Sequence, residues 1–234
     1  NSSFPYEKFG AEIYPHSHPL KHGYLHPFAL NCMQYSLDHY SFDTLTIVDS
    51  DQLALRKGYS QFLGRYLSPK SNVGMLSNRP GKITSINTEV WTALQAFKEY
   101  DLWKPLLNQF PNGESKFVHW SFWPSTVFTS VAIKDLIKLF KENMVLQEIM
   151  KKTKIWATEE IIFPTLVKLL GYEIALNPSC HDFISYRKSF TLKDLEVAEK
   201  SPNAFWLHPI ERKYDNPLRK KTREKSNHYI NNYG

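Results

Sequence analysis

Cysteine is almost missing from this sequence. Cys32 and Cys180 are the only two among 234 residues, too few for a disulfide scaffold. Such sparing use favours a reducing compartment over a secretory one. No run of about 18 apolar residues occurs, so no bilayer-spanning helix is expected. No charged-then-apolar leader opens the sequence, and neither an internal repeat nor a low-complexity block interrupts it. These absences lead to the expectation of a soluble, cytoplasmic globular protein.

What is present is sufficient for a core. Apolar residues make up 42% of the chain, and its length suits one domain over residues 1–234. Aromatic residues reach 15%, which suits a cleft for flat rings as well as an ordinary packed interior. The net charge of +6 favours a polyanionic partner: a nucleic acid, an anionic membrane or a nucleotide sugar. The charge is concentrated late. Between Glu211 and Lys225 seven Lys and Arg face three acids, and residues 216–234 form a basic tail suited to peripheral contact with a membrane surface.

Periodicity organises the rest. Residues 1–20 look extended. Pro27 suits a first helical turn, and Leu30, Met33 and Leu37 continue a helix to about His39. Phe42 to Val48 has the composition of a buried strand ending at Asp49. Tyr59, Phe62, Leu63 and Tyr66 mark a second helix. Asn72 to Leu76 is a short strand closed by a turn at Asn78-Arg79-Pro80-Gly81. Val90, Ala93, Leu94 and Phe97 mark a third helix. Lys116 to Phe122 is a strand punctuated by Pro124. Ala132, Leu136, Leu139 and Phe140 give a helix, as do Ile162, Leu166, Leu169 and Leu170, the latter closed by Gly171. Tyr172 to Leu176 is a strand, Leu192 to Ala198 a short helix, and Ala204 to Leu207 a last strand. The alternation predicts an α/β fold with helices on both faces of a sheet. Ligands of such sheets sit at the carboxyl ends of strands, where Asp49-Ser50-Asp51 falls.

Three groups of residues carry chemistry. Asp49 and Asp51, one residue apart, can hold a divalent cation on a diphosphate or bond a ribose; solvated acids in a turn are the plainer alternative. Glu159 and Glu160 follow Thr158, a suitable N-cap, and precede Pro164, which cannot donate to the Glu160 carbonyl. Glu160 therefore belongs at or just before a helix N-terminus, as a general base or simply as a complement to the helix dipole. Arg212 and Lys213 follow the apolar Phe205-Trp206-Leu207 and can stabilise a departing diphosphate, whereas the stretch from Arg219 onward suits a solvated tail. His16, His18, His22 and His26 have a spacing that zinc could use. No cysteine accompanies them, and Pro19 and Pro27 break any helix that would present the rings together, so no metal is expected there. The cluster from His119 through Trp120 to Trp123 suits sugar stacking and core packing equally.

In order along the chain, these pieces resemble the core-2/I-branching β-1,6-N-acetylglucosaminyltransferases and peptide O-xylosyltransferases. The resemblance runs from about Lys21 to Arg223. His22-Gly23-Tyr24 is similar to the Gly-bearing turn of that family, and Phe42 to Leu55 to its strand ending in Ser-Gly-x-Asp-x-Pro-Leu. Trp123 to Phe140 resembles the stretch where a Trp precedes an apolar helix. Glu159-Glu160, trailed by Thr165-Leu166, matches the family's Asp-Glu motif with its Thr-Leu, and Glu211-Arg212-Lys213-Tyr214-Asp215 its Ala-Arg-Lys-Phe-Asp. The resemblance implies a type A glycosyltransferase fold with a Rossmann-like mixed sheet and an inverting transfer. The donor would be a UDP-sugar of the N-acetylglucosamine or xylose class, and the acceptor a hydroxyl of a glycan, protein or small molecule. Glu160 would be the base, with Arg212 and Lys213 replacing a metal at the diphosphate. Asp49, Asp51, Glu159 and Trp123 would bind donor or acceptor.

The sequence also departs from that family. The strand end here reads Val48-Asp49-Ser50-Asp51-Gln52-Leu53 without the family's Gly and Pro, which keeps open a metal-dependent site using Asp49 and Asp51 with Mn or Mg. Glu159 stands where the family has Asp, and the Cys pairs of secreted animal members are missing, as in a bacterial relative. The family's first nucleotide-binding strand is not recognisable in residues 1–20. A non-enzymatic polyanion binder using Arg212 to Lys225 is the remaining alternative. The basic residues lack the interleaved aromatics of single-strand binders, so no nucleic-acid partner is expected.

Overall fold

The computed structural model describes residues 11–226 apart from His18, His22 and Cys180. Two members of the histidine series, the family-like turn at His22 and the last eight residues of the basic tail lie outside that range. Among the described residues no helix is long and apolar enough to cross a membrane.

The protein is α/β. Its main sheet has four strands in the order β1 (Thr44–Ile47), β4 (His119–Thr129), β3 (Val73–Lys82), β5 (Glu173–Leu176). β4 is antiparallel to both neighbours, and β5 runs parallel to β3, so the sheet is mixed. A two-stranded antiparallel ribbon pairs β2 (Leu53–Ala54) with β6 (Trp206–Leu207). Helices cover both faces. Met75, Trp123 and Phe128 point into one core with Phe163, Leu166 and the helices around them. Leu76 and Val127, their neighbours in sequence, point the other way onto Leu63 of α2 (Tyr59–Leu67). That alternation is the two-residue period of a strand.

Local chemistry explains most boundaries. α1 (His26–His39) starts with proline in its first turn and ends where expected. β4 runs straight into α5 (Ser130–Glu142), whose first turn is capped by the Thr129 hydroxyl accepting from the Ala132 N–H at 3.4 Å. α8 (Leu192–Lys200) has a complete capping box between Thr191 and Asp194. α7 (Glu159–Leu169) is buried on almost every side, the mark of a helix through the middle of a core. α3 (Trp91–Lys98) and α7 pack in the same core.

Four expectations need correction. β1 is an edge strand, half-buried along its length rather than fully buried. Asn78 to Gly81 is no turn, because β3 continues through it with Arg79 at φ 51°. β4 does not stop at Pro124. A central strand tolerates proline only at an irregularity, and β4 supplies one. Between the pairs Asn78–Phe122 and Leu76–Val127, β3 advances two residues and β4 five. The excess holds Pro124 and Ser125, the latter at φ 60°. Finally, α4 (Tyr100–Leu107) and α6 (Met144–Lys152) were not anticipated, since each is a short helix abutting another and α4 contains Pro105.

Three amides fill the β4 bulge. Asn78 Nδ2 donates to the Pro124 carbonyl and Asn177 Nδ2 to the Ser125 carbonyl at 2.8 Å. Gln52 Oε1 accepts from the Ser125 N–H at 3.1 Å and the Asp49 N–H at 2.8 Å, while its Nε2 donates to Ser125 Oγ at 2.5 Å. Gln52 is buried, so replacing it with Leu strands the buried Ser125 N–H and the half-buried Asp49 N–H. Gln52→Leu is expected to lose about 2–4 kcal/mol in urea unfolding; a loss under about 0.5 kcal/mol would mean that the bulge holds without the amide.

Candidate functional site

β1 ends at Ile47, which pairs with Thr126, so the chain leaving β1 meets the bulge of β4. Gln52 then fixes the Asp49–Asp51 turn: its side chain takes the Asp49 N–H, and its own N–H donates to the Asp49 carbonyl at 2.9 Å. The Asp51 carbonyl in turn accepts the Ile210 N–H at 2.7 Å. That bond brings the distant segment 208–212 against the acids. Arg212 Nη2 lies 3.0 Å from Asp51 Oδ2, and Arg212 Nε donates to Ser50 Oγ at 2.6 Å. α9 (Pro217–Ser226) folds back on the same turn, with Arg219 donating to the Ser50 carbonyl at 3.0 Å and the Glu211 carbonyl at 2.9 Å.

His208 completes the group. Ligand atoms of Asp49, Asp51 and His208 all lie within 4.8 Å of one another, a spacing that could hold a metal ion. The imidazole is set up for that use. Its Nδ1 is 3.0 Å from the Ser185 carbonyl, which can only accept, so Nδ1 carries the proton. Burial lowers the His208 pKa, which favours the neutral ring with a lone pair on Nε2. That lone pair lies 3.3 Å from Asp51 Oδ1, a buried oxygen without a hydrogen-bond partner. Two acceptors facing each other repel unless a cation or proton lies between them. A backbone carbonyl that fixes the far nitrogen is also the usual support of a metal-ligating histidine.

The second half of the site is the start of α7. Glu159 is 5% exposed and accepts the Leu25 N–H at 3.2 Å and the Thr158 hydroxyl at 3.4 Å. Beneath it, Thr158 Oγ1 is 2.7 Å from His26 Nδ1, and burial depresses the His26 pKa to about 4. Glu160 is half-buried and accepts the Trp120 indole N–H at 3.0 Å. Burial raises its pKa to about 7, against the hydrogen bonds from the Trp120 indole and the Trp123 backbone; the charges of Glu159 and Asp49 push it further up. Asp49 is raised to about 6 by burial and by the charges of Asp51 and Glu159, with Arg212 opposing. The four acids therefore share one electrostatic neighbourhood, and Arg212 belongs to it.

A cleft of about 530 Å³ adjoins the acids. Asp51, Arg212, Arg187 and Lys188 line it, with Phe190, Pro209 and Ile210 as apolar walls. Its cations outnumber its acids, which suits an anionic ligand. Glu160 is not among its lining residues.

Of the residues singled out in the sequence, the fold gathers Asp49, Asp51, Glu159, Glu160 and Arg212. Lys213 stands apart, 2.5 Å from Glu211 and mostly exposed. Trp123 is also displaced from its expected role. It is 4% exposed, with its ring stacked on Phe163 at 5.5 Å, so no face is left for a sugar and only its backbone N–H serves the site. His208, Arg187 and Lys188 had no assigned role, and Trp120, read only as part of an aromatic cluster for stacking or packing, instead donates its indole N–H to Glu160. His208 adjoins the Arg212 motif, but a lone histidine beside proline gives no sign of its partners. No family model matches the chain, and no curated protein matches it in sequence.

Manganese is expected to raise the thermal stability of the protein, by about 2.7 kcal/mol at a hundredfold excess over Kd. Asp51→Asn and His208→Ala should each abolish that gain. A wild-type melting curve indifferent to millimolar manganese or magnesium would remove the metal from the site.

Proposed function

We propose that the protein is an inverting glycosyltransferase of type A architecture, transferring a sugar from a nucleoside diphosphate sugar, UDP-linked in the first instance, to an acceptor hydroxyl. The observation that carries the reading is Glu160: a carboxylate with a pKa near 7 in the same field as a turn suited to a metal-bridged diphosphate. A general base works best when its pKa lies near the working pH. The mixed sheet flanked by helices, with acids at a strand end, is compatible with that architecture.

In this mechanism ionised Glu160 accepts the proton of the acceptor hydroxyl. The oxygen attacks the anomeric carbon from the face opposite the diphosphate. A new C–O bond forms, the bond to the phosphate oxygen breaks, and the electron pair leaves on the diphosphate. Arg212, Arg187 and Lys188 stabilise the charge that develops there. Asp49, Asp51 and His208 would hold a divalent cation, which neutralises diphosphate charge when bound. The trapped His208 lone pair and the bare Asp51 oxygen favour this metal-dependent form over one relying on Arg212 and Lys213, because Lys213 is paired with Glu211. EDTA separates the two: activity that survives exhaustive chelation supports the cation-free form.

Glu160→Gln is expected to lower transfer 10²–10⁴-fold while UDP affinity in manganese stays within about twofold; normal turnover would remove Glu160 from the role. Wild-type kcat/KM should rise with pH through about 7 as the carboxyl ionises.

The same shift has a stability signature. Between the ordinary carboxyl value of 4.5 and about 7 the folded state holds a proton that the unfolded state has released, so this group's contribution to stability falls as pH rises across that window. Glu160→Gln escapes the loss. It should be more stable than the wild type at pH 8, by on the order of 2–3 kcal/mol, and equal to it below about pH 4. Equal unfolding curves at pH 8 would show that the carboxyl is not perturbed.

A further inference from the structure

We infer that α9, together with the segment Tyr186-Arg187-Lys188, forms a docking face for an anionic phospholipid bilayer. The face stands whether or not the neighbouring cleft transfers sugars.

The basic stretch from Arg219 onward is not a solvated tail. It folds as α9 (Pro217–Ser226) and is fastened to the body along its length. Leu218 is buried. Arg219 donates to the Ser50 carbonyl at 3.0 Å and the Glu211 carbonyl at 2.9 Å. Towards the end, Lys225 Nζ lies 2.6 Å from Glu199 of α8. Leu218 and Thr222, four apart, share the inner face of the helix, while Lys220 and Arg223, three apart, share another. Lys220 and Lys221 are exposed. Charge that served only to keep a tail in solution would not need this anchoring.

The charge on the outer side is uncompensated. Arg212 pairs with Asp51 and Lys213 with Glu211. Among the described residues, none of Arg187, Lys188, Lys220, Lys221 and Arg223 takes part in an ion pair. From Tyr214 to Ser226 five cations face only Asp215 and Glu224.

The two parts of the face meet at one cleft. Arg187 and Lys188 line it, as do Asn216 and Leu218 at the start of α9. Each part carries an exposed tyrosine under a guanidinium. Tyr186 is 63% exposed, with the Arg187 guanidinium 4.8 Å from its ring centroid. Tyr214 is 69% exposed, with Arg223 at 3.8 Å. A tyrosine joins an apolar ring to a polar hydroxyl and so suits the headgroup level of a bilayer. An arginine laid along it keeps its charge among the phosphates, and anionic lipids supply the missing countercharge. A single-stranded nucleic acid would instead stack its bases on open rings, whereas here a guanidinium covers a face of each ring. No described helix is long and apolar enough to span a membrane, so contact through α9 is peripheral.

The test is co-sedimentation of the full chain with large vesicles of phosphatidylcholine, either pure or containing about a third phosphatidylglycerol. The wild type should bind the anionic vesicles, not the neutral ones, and should be released by raised salt. Each cation near such a surface strengthens binding about fivefold, so K220A/K221A should weaken it by roughly twenty-five-fold. Both positions are exposed, and this variant is expected to melt as the wild type does. K220R/K221R keeps the charge and should bind as the wild type. K134A/K138A removes the same charge from exposed positions on α5 and should leave binding unchanged. The docking face is overturned if the wild type ignores anionic vesicles, if K220A/K221A binds them as well as the wild type, or if K134A/K138A loses as much. Displacement of the bound protein from vesicles by an equal phosphate concentration of single-stranded DNA would overturn it in favour of a nucleic-acid surface.

Discussion

The contact on which the site depends is the carboxamide of Gln52 inside the bulge of β4. An extra stretch in a central strand leaves backbone groups without ladder partners, and buried groups of that kind are costly. Gln52 satisfies the Ser125 N–H and in doing so fixes the Asp49 N–H with the same oxygen. One side chain therefore determines both how β4 departs from regularity and where the acids after β1 stand. The bulge also carries Trp123, whose backbone N–H reaches Glu160. Bulges bend a strand and re-aim what it carries; here the result is that two acidic segments, more than a hundred residues apart, converge on one side of β4.

That convergence has an electrostatic cost. Asp49 and Glu160 are both pushed upward by burial and by each other's neighbours, so the fold concentrates negative charge beyond what Arg212 compensates. A divalent cation between Asp49, Asp51 and His208 would relieve this, since a bound ion is the largest local charge in such a site and reverses the pKa logic around it. The Asp51–His208 contact points the same way. With the ring protonated it is an ion pair at 3.3 Å; with the ring neutral, the state that burial favours, it suits two ligands aimed at one ion.

Much of the scaffold is legible in the residues. Proline at the first turn of α1, the apolar spacing of α2, α3, α5 and α8, and Gly171 after α7 each encode an element through local chemistry alone. Misreadings occur where tertiary contacts override a local signal. Pro124 looks like a break, yet amides from Gln52, Asn78 and Asn177 satisfy the bulge around it; Asn78-Arg79-Pro80-Gly81 looks like a turn, yet Asn78 and Gly81 pair with Phe122 and Trp120 and the strand continues. Trp123 looked like a ligand platform because an aromatic run has no direction until the pleat assigns its faces; Trp120 turns to the site and Trp123 to the core. His208 was invisible for a related reason. Its meaning lies in Ser185 on one side and Asp51 on the other, and neither is near it in sequence.

Glu159 and Glu160 show why adjacent, like residues can hold different roles. Glu159 is sealed in and bonded to the Leu25 N–H and the Thr158 hydroxyl. It anchors the loop before α1 to the N-terminus of α7, where the helix dipole favours an acid. Glu160 is one helical step further round and lacks those donors. It meets an indole N–H and a strand amide, and burial rather than pairing governs its proton. Separation of the two depends on the turn of the helix, which Thr158 and Pro164 position without interrupting, so the assignment belongs to packing and not to the dipeptide itself.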